Sequence, residues 1–73
     1  MSIRFDGNVP KVWKDFANKH ASAISEIYKE ADNRYWVYLR PSWIDIQSGM
    51  HQFRATSIKE LKEYWQYVQR EEI

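Results

Sequence analysis

The chain has 73 residues, a net charge of +1 at pH 7, no cysteine and 16% aromatic residues. This length predicts one small domain over residues 1–73, and the lack of cysteine excludes disulfides and thiolate zinc sites. A near-neutral charge argues against a dedicated duplex-DNA binder, whose affinity comes largely from neutralising phosphates. No apolar run follows the first residues and no segment reaches the ~20 apolar residues that span a bilayer. We therefore expect no signal peptide, no membrane contact and a cytoplasmic location.

The first third of the chain carries a helical pattern. Ile3 and Phe5 alternate with Arg4, which favours a brief N-terminal edge strand. From Val9 to Ala31 apolar residues recur at three- and four-residue spacing, which predicts one long amphipathic helix. Asn33 follows this segment, and asparagine can adopt the left-handed conformation that closes a helix.

Three alternating runs come next and predict β-structure. They are Arg34–Arg40, Trp43–Gln47 and Met50–Ala55, separated by the turn signals Pro41-Ser42 and Ser48-Gly49. Alternation over short runs with turn residues between them is typical of an antiparallel meander. The sequence therefore predicts three neighbouring strands in chain order.

The loop lengths predict which residues share a face of this meander. Two-residue loops place Ile44 opposite Leu39 in one hairpin and opposite Phe53 in the other. The predicted core face then holds Tyr35, Val37, Leu39, Ile44, Ile46, His51, Phe53 and Ala55. The opposite face holds Trp36, Tyr38, Arg40, Trp43, Asp45, Gln47, Met50, Gln52 and Arg54. A one-residue slip in register would exchange the two faces.

A second helix is predicted after the meander. Ser57 with Glu60 three residues later forms a capping box, and apolar residues follow at helical spacing as far as Val68. The polar residues 69–73 are expected to fray. The predicted fold class is α+β, a three-stranded antiparallel meander with two helices packed on one face, in the order helix-strand-strand-strand-helix. The core is expected to centre on Trp13, Phe16, Ile24, Ile27, Val37, Leu39, Ile44, Phe53, Leu61 and Trp65.

The sheet face opposite the core is the candidate binding site. It joins aromatic and cationic side chains, and its predicted contact residues are Trp36, Tyr38, Arg40, Trp43 and Arg54. These residue types dominate the hot spots of protein interfaces, which favours a protein partner. Aromatic rings beside arginine also stack single-stranded nucleic acid, and a second copy of the chain would cover such a face equally well. A purely structural explanation is cross-strand aromatic pairing on a solvated sheet.

The sequence offers little for catalysis or metal binding. His20 and His51 both fall on predicted core-facing positions, but two histidines without a nearby carboxylate or thiolate make an incomplete metal site. Only two glycines occur, so no glycine-rich phosphate loop is present. The serines lie at predicted helix-surface and cap positions rather than on a strained turn beside a histidine. We therefore predict a non-enzymatic protein without a cofactor or metal.

One part of the chain resembles known sequences. The run Tyr35–Ile44, followed by Thr56–Leu61, is similar to the second half of short uncharacterised proteins of bacteria and their phages, over about residues 35–65. The resemblance implies a mobile-element origin. Small, cysteine-free phage proteins often bind and block a host defence or regulatory machine, which can be a nucleoprotein complex, as anti-CRISPR proteins do. The resemblance therefore implies an inhibitor with a protein partner. It contains no motif from which a functional residue could be assigned in this chain.

Overall fold

The computed structural model describes residues 2–71, and this part of the chain forms two helices and six strands, so the predicted α+β class is confirmed. The elements are β1 (Arg4–Asp6), α1 (Lys11–Lys19), β2 (Ile24–Ala31), β3 (Arg34–Leu39), β4 (Trp43–Asp45), β5 (Gln52–Ala55), α2 (Ile58–Trp65) and β6 (Val68–Arg70). One sheet has the strand order β1-β2-β3-β5, and β4 pairs with β6 in a separate two-stranded sheet. Strand β1 runs parallel to β2, whereas the other pairs are antiparallel.

The predicted long helix over Val9–Ala31 is wrong beyond Lys19, because its second half is strand β2. The misleading feature is a β-bulge. The pairing of β2 with β3 shifts between Ile24 and Glu26, so that Ser25 is an extra residue in β2. The bulge lets Ile24 and Ile27 both enter the core although they are three residues apart, a spacing that otherwise indicates a helix.

A two-residue loop joins β2 to β3. Ala31 pairs with Arg34, and Asn33 in the loop has a φ of 58°. Asparagine tolerates this left-handed conformation better than most residues, and tight hairpins require it. The signal at Asn33 therefore closes a hairpin rather than a helix.

Strand β5, and not β4, is the neighbour of β3. Val37 pairs with Phe53, so the predicted placement of Ile44 opposite Leu39 and Phe53 is wrong. The chain leaves the four-stranded sheet at a turn in which the Trp43 N–H donates to the carbonyl of residue 40 at 2.8 Å. The three residues of β4 then pair with β6, and the meander in chain order does not form.

This change of partner reverses the two faces of β4. Asp45 is only 4% exposed and Trp43 packs against the core, although both were predicted on the opposite face. Asp45 Oδ1 accepts a hydrogen bond from the Gln47 N–H at 3.0 Å, an Asx turn that compensates part of the cost of burying the carboxylate. The predicted core residues Ile46 and His51 are exposed instead.

Both helices contact the same face of the four-stranded sheet. The ring of Trp13 in α1 stacks on Tyr35 with centroids 4.0 Å apart, and Tyr64 in α2 meets the edge of Phe53 at 6.1 Å. Of the predicted core residues, the buried ones are Trp13, Ile24, Ile27, Val37, Leu39, Phe53 and Leu61. The half-buried ones are Phe16, Ile44 and Trp65.

The predicted capping box opens α2. Ser57 Oγ accepts a hydrogen bond from the Glu60 N–H at 3.1 Å, which satisfies one of the free donors of the first turn. The Glu60 carboxylate in turn accepts from the Thr56 N–H at 2.9 Å. The carboxylate thus bonds the residue before the N-cap and not Ser57 itself, so the Ser57 half of the predicted box is confirmed and the Glu60 half differs by one residue.

The end of the chain differs from the prediction. Helix α2 ends at Trp65, and Val68 lies in β6, where it is buried and pairs with Asp45. The expectation of a frayed end is therefore wrong for residues 69–70, and residues 72–73 lie outside the described part. Neither helix within residues 2–71 has the length and apolar character required to cross a membrane.

Candidate functional site

The face of the four-stranded sheet opposite the helices, which we call the outer face, carries two rows of cross-strand neighbours. The first row is Asp6, Tyr28, Trp36 and Arg54, and the second is Arg4, Glu26, Tyr38 and Gln52. The row between them is Phe5, Ile27, Val37 and Phe53, which points to the core. Because side chains alternate across a strand, this core row places both other rows on the outer face.

Aromatic rings occupy the middle of the outer face. Tyr28 and Trp36 are direct neighbours on β2 and β3, and Tyr38 follows two residues along β3. The Arg54 guanidinium lies 5.9 Å from the centre of the Trp36 ring, a distance typical of a cation–π contact. Trp36 and Tyr38 are half-buried, whereas Arg54 is exposed. The sheet therefore presents a continuous aromatic surface with a cation at its β5 edge.

Charges of both signs surround these rings. Arg4 and Asp6 approach each other to 3.8 Å in an exposed pair, which neutralises the β1 edge. Glu26 and Arg54 have no oppositely charged group within 4.0 Å among residues 2–71. Within the described residues, the outer face thus carries Glu26 on the β2 side of Trp36 and Arg54 on its β5 side, neither of them in an ion pair.

Arg40 does not belong to the outer face. Its Nε donates to the Ala21 carbonyl at 2.8 Å, and its terminal nitrogen donates to the Ser2 carbonyl at 3.0 Å. The side chain thereby connects the turn after α1 to the segment before β1. This guanidinium has a structural role, because both hydrogen bonds tie backbone segments distant in sequence.

Replacing Arg40 with alanine is expected to lower the free energy of unfolding by about 1.5–3 kcal/mol, since it removes two charge-assisted hydrogen bonds. Arg40→Lys should recover only part of this loss, because an ammonium lacks the planar fork that reaches two carbonyls. Urea unfolding monitored by circular dichroism measures both changes. Equal stability of Arg40→Ala and the wild type would contradict the assigned role.

Trp43 is likewise absent from the outer face, since it lies in the separate sheet and packs against the core. Of the five predicted contact residues, the structure brings together Trp36, Tyr38 and Arg54. Tyr28 joins them, although the sequence pattern placed it on the predicted long helix.

The two-residue loop at Asn33 was a sequence signal from which the hairpin of β2 and β3 could have been predicted. The face of Tyr28 depends on a second register shift between Lys29 and Ala31, which no local pattern marks.

The two histidines occupy different surroundings. His20 is half-buried and contacts the Phe16 and Trp65 rings, with centroids 4.6 and 4.8 Å away. This burial, together with the nearby Lys19 charge, lowers the pKa of His20 below its ordinary value. His51 is exposed, and its Nδ1 donates to the Trp43 carbonyl. Within residues 2–71 no three His, Cys, Asp or Glu side chains converge in a way that could hold a metal ion.

Comparison with known proteins adds no family to this description, since no family model, curated protein or solved structure matches the chain. The functional interpretation therefore rests on the residues of the outer face and their geometry.

Proposed function

We propose that this chain is a small, non-enzymatic protein-binding module that engages a protein partner through its outer face. The observation that carries the proposal is the placement of Tyr28, Trp36 and Tyr38 beside Arg54, on the side of the sheet away from the helices. Tyrosine, tryptophan and arginine supply most of the binding energy in protein interfaces. Rigid aromatic rings also lose little conformational entropy when a partner covers them.

The charges of the outer face favour a protein over single-stranded nucleic acid. A nucleic-acid strand that stacks on Trp36 and Tyr38 would bring its phosphates near Glu26 and Asp6. Proteins that hold single strands usually combine stacking rings with a positively charged groove. The outer face has two arginines: Arg4 is paired with Asp6, and Arg54 is in no ion pair among residues 2–71.

The biological role that we propose is inhibition of a host defence or regulatory complex, of the kind carried out by small phage proteins. This role is what the resemblance over residues 35–65 implies, and the structural support for it is the aromatic outer face, which supplies a contact surface. The target can be a nucleoprotein complex, as the resemblance implies. A module of this size needs no chemistry of its own for this role, because covering a contact surface of the target is enough to block it.

Binding is tested with the double variant Trp36→Ser and Tyr38→Ser. Tagged wild type and variant are used to capture partners from a nuclease-treated host lysate, and the affinity for each captured protein is then measured with purified components. We expect the variant to bind at least about tenfold more weakly, since hot-spot aromatics each contribute about 2 kcal/mol or more. Its thermal midpoint should fall by up to about 10 °C, since the lost cross-strand contacts contribute at most about 1 kcal/mol each, so binding is compared at a temperature where both proteins are folded.

A matched control replaces two exposed side chains away from the outer face, Met50→Ser and Tyr67→Ser, which are 52% and 39% exposed. This control should bind like the wild type. Equal binding by the outer-face variant would refute the proposal. Capture from a second, untreated lysate that disappears in the nuclease-treated one, with affinity that falls steeply as salt rises, would assign the face to nucleic acid. A concentration-dependent dimer that the same double variant abolishes would assign it to a second copy of the chain.

A further inference from the structure

A cleft lies between the two helices, on the side of the sheet opposite the outer face. Its volume is about 220 Å³, and its lining consists of Val12, Asp15, Phe16 and Lys19 from α1 with Lys62 from α2. This volume is below the roughly 300–1,000 Å³ of pockets that enclose small organic ligands. The cleft therefore fits a single large side chain better than a metabolite.

Helix α1 gives the cleft two apolar lining residues, Val12 and Phe16, beside the charged Asp15 and Lys19. Val12 is 49% exposed on α1. Phe16 lies one turn further on and is half-buried, with its ring held against Trp65 in an edge-to-face contact at 5.3 Å. An apolar side chain inserted beside Val12 would complete the burial of both residues, which is favourable in proportion to the area covered.

The charges around the cleft are unevenly paired. The acid in its lining, Asp15, forms an ion pair with Lys11, whose Nζ lies 2.8 Å from the carboxylate oxygen Oδ2. Lys19 and Lys62 have no carboxylate within 4.0 Å among residues 2–71, and Lys59 beside Lys62 has none either. Helix α2 also carries two acids: Glu63, which lies beside Lys59 and Lys62, and Glu60, whose carboxylate accepts from the Thr56 N–H at the start of the helix. In the described part of the chain, lysines without an ion pair therefore flank Val12 and Phe16 from both helices.

We infer that this cleft is a second docking surface, which accepts an acidic amphipathic helix of a partner protein. One large apolar side chain of that helix inserts between α1 and α2, beside Val12 and Phe16, and its carboxylates face Lys19 and Lys62. Helix-in-groove recognition uses this combination of an apolar anchor and charge complementarity. The recess is concave, which favours a protruding side chain over a flat lipid surface. Since α1 and α2 lie across the sheet from Trp36, both surfaces can be occupied at once.

The inference is tested by nuclear magnetic resonance titration of the ¹⁵N-labelled chain with two synthetic helical peptides. One peptide combines leucine with glutamate, and the other replaces every glutamate with lysine. We expect the acidic peptide to shift the amides of Val12, Phe16, Lys19 and Lys62, and to bind at least about tenfold more tightly than the basic peptide. Because the charges on the two helices attract the acidic peptide, the shifts should weaken as salt rises.

Charge reversal provides the matched comparison. The variant Lys19→Glu with Lys62→Glu should lose the acidic peptide and prefer the basic one. A control with the same change in net charge, Lys14→Glu with Arg70→Glu, should keep the wild-type preference. Absence of binding, equal binding of both peptides, or shifts at Trp36 and Arg54 instead of the cleft would overturn the inference. Lysine-dependent binding to phosphatidylglycerol vesicles without peptide binding would also overturn it, in favour of a membrane contact.

Discussion

Replacing Phe53 with alanine is expected to lower the free energy of unfolding by about 3–5 kcal/mol. The side chain is 7% exposed, lies opposite Val37 on β3 and meets the edge of the Tyr64 ring. Its removal leaves a cavity where α2 contacts the sheet, and a small domain has only about 5–15 kcal/mol of stability in total. Urea unfolding followed by circular dichroism measures the loss, and thermal unfolding should show a large drop in midpoint.

The matched control for this change is Met50→Ala, since Met50 is 52% exposed in a loop. It should alter stability by less than about 0.5 kcal/mol. Phe16→Ala should cost less than Phe53→Ala, because Phe16 is half-buried at the edge of the core. Comparable stability of Phe53→Ala and the wild type would show that the ring does not lie between α2 and the sheet.

The central strands were predictable because their alternation is regular. Tyr35, Val37 and Leu39 face the core and Trp36 and Tyr38 face outward, as the two-residue period of β3 requires. The same period holds in β5. The unbroken alternation of these two strands was therefore enough to place their own residues correctly, including Trp36, Tyr38 and Arg54 on the outer face, but not Tyr28 of β2.

Strand β2 shows why the rest was not predictable. The helical spacing of Ile24 and Ile27 comes from the bulge at Ser25, whose hydroxyl donates to the Tyr38 carbonyl at 3.1 Å. A bulge adds one residue to a strand and turns a spacing of two into a spacing of three, which imitates a helix. The β-branched isoleucines and Tyr28 favour a strand, but this preference is weak beside a strong periodic pattern.

The pairing of strand β4 could not be predicted from the sequence for a different reason. Its partner β6 has three residues and lies more than twenty positions further along the chain. Pairing at this distance depends on how α2 and the sheet are arranged, and short strands carry too few residues to specify a partner locally. The faces of Trp43 and Asp45 follow from that pairing, so the sequence pattern assigned both of them wrongly.

Trp43→Ala is expected to lower the free energy of unfolding much more than Trp36→Ala, although both residues were predicted on the same surface. Trp43 packs against the core, and its truncation should lower the free energy of unfolding by about 2–4 kcal/mol. Trp36 lies on the outer face, where cross-strand contacts with Tyr28 and Arg54 contribute at most about 1 kcal/mol each. Urea unfolding of the two single variants, under identical conditions, measures the difference directly.

For partner binding the expected order is reversed, since Trp36→Ala should have the larger effect on affinity. At a temperature where both variants are folded, Trp36→Ala should lose affinity for the partner, whereas Trp43→Ala should retain it, because only the outer face is proposed to touch the partner. Trp36→Phe should restore part of the affinity, since it keeps an aromatic ring beside Arg54. The opposite result would be a Trp36→Ala variant that is the less stable of the two and a Trp43→Ala variant that loses binding. It would show that the outer face is not the contact surface and that this surface lies on the sheet of β4 and β6.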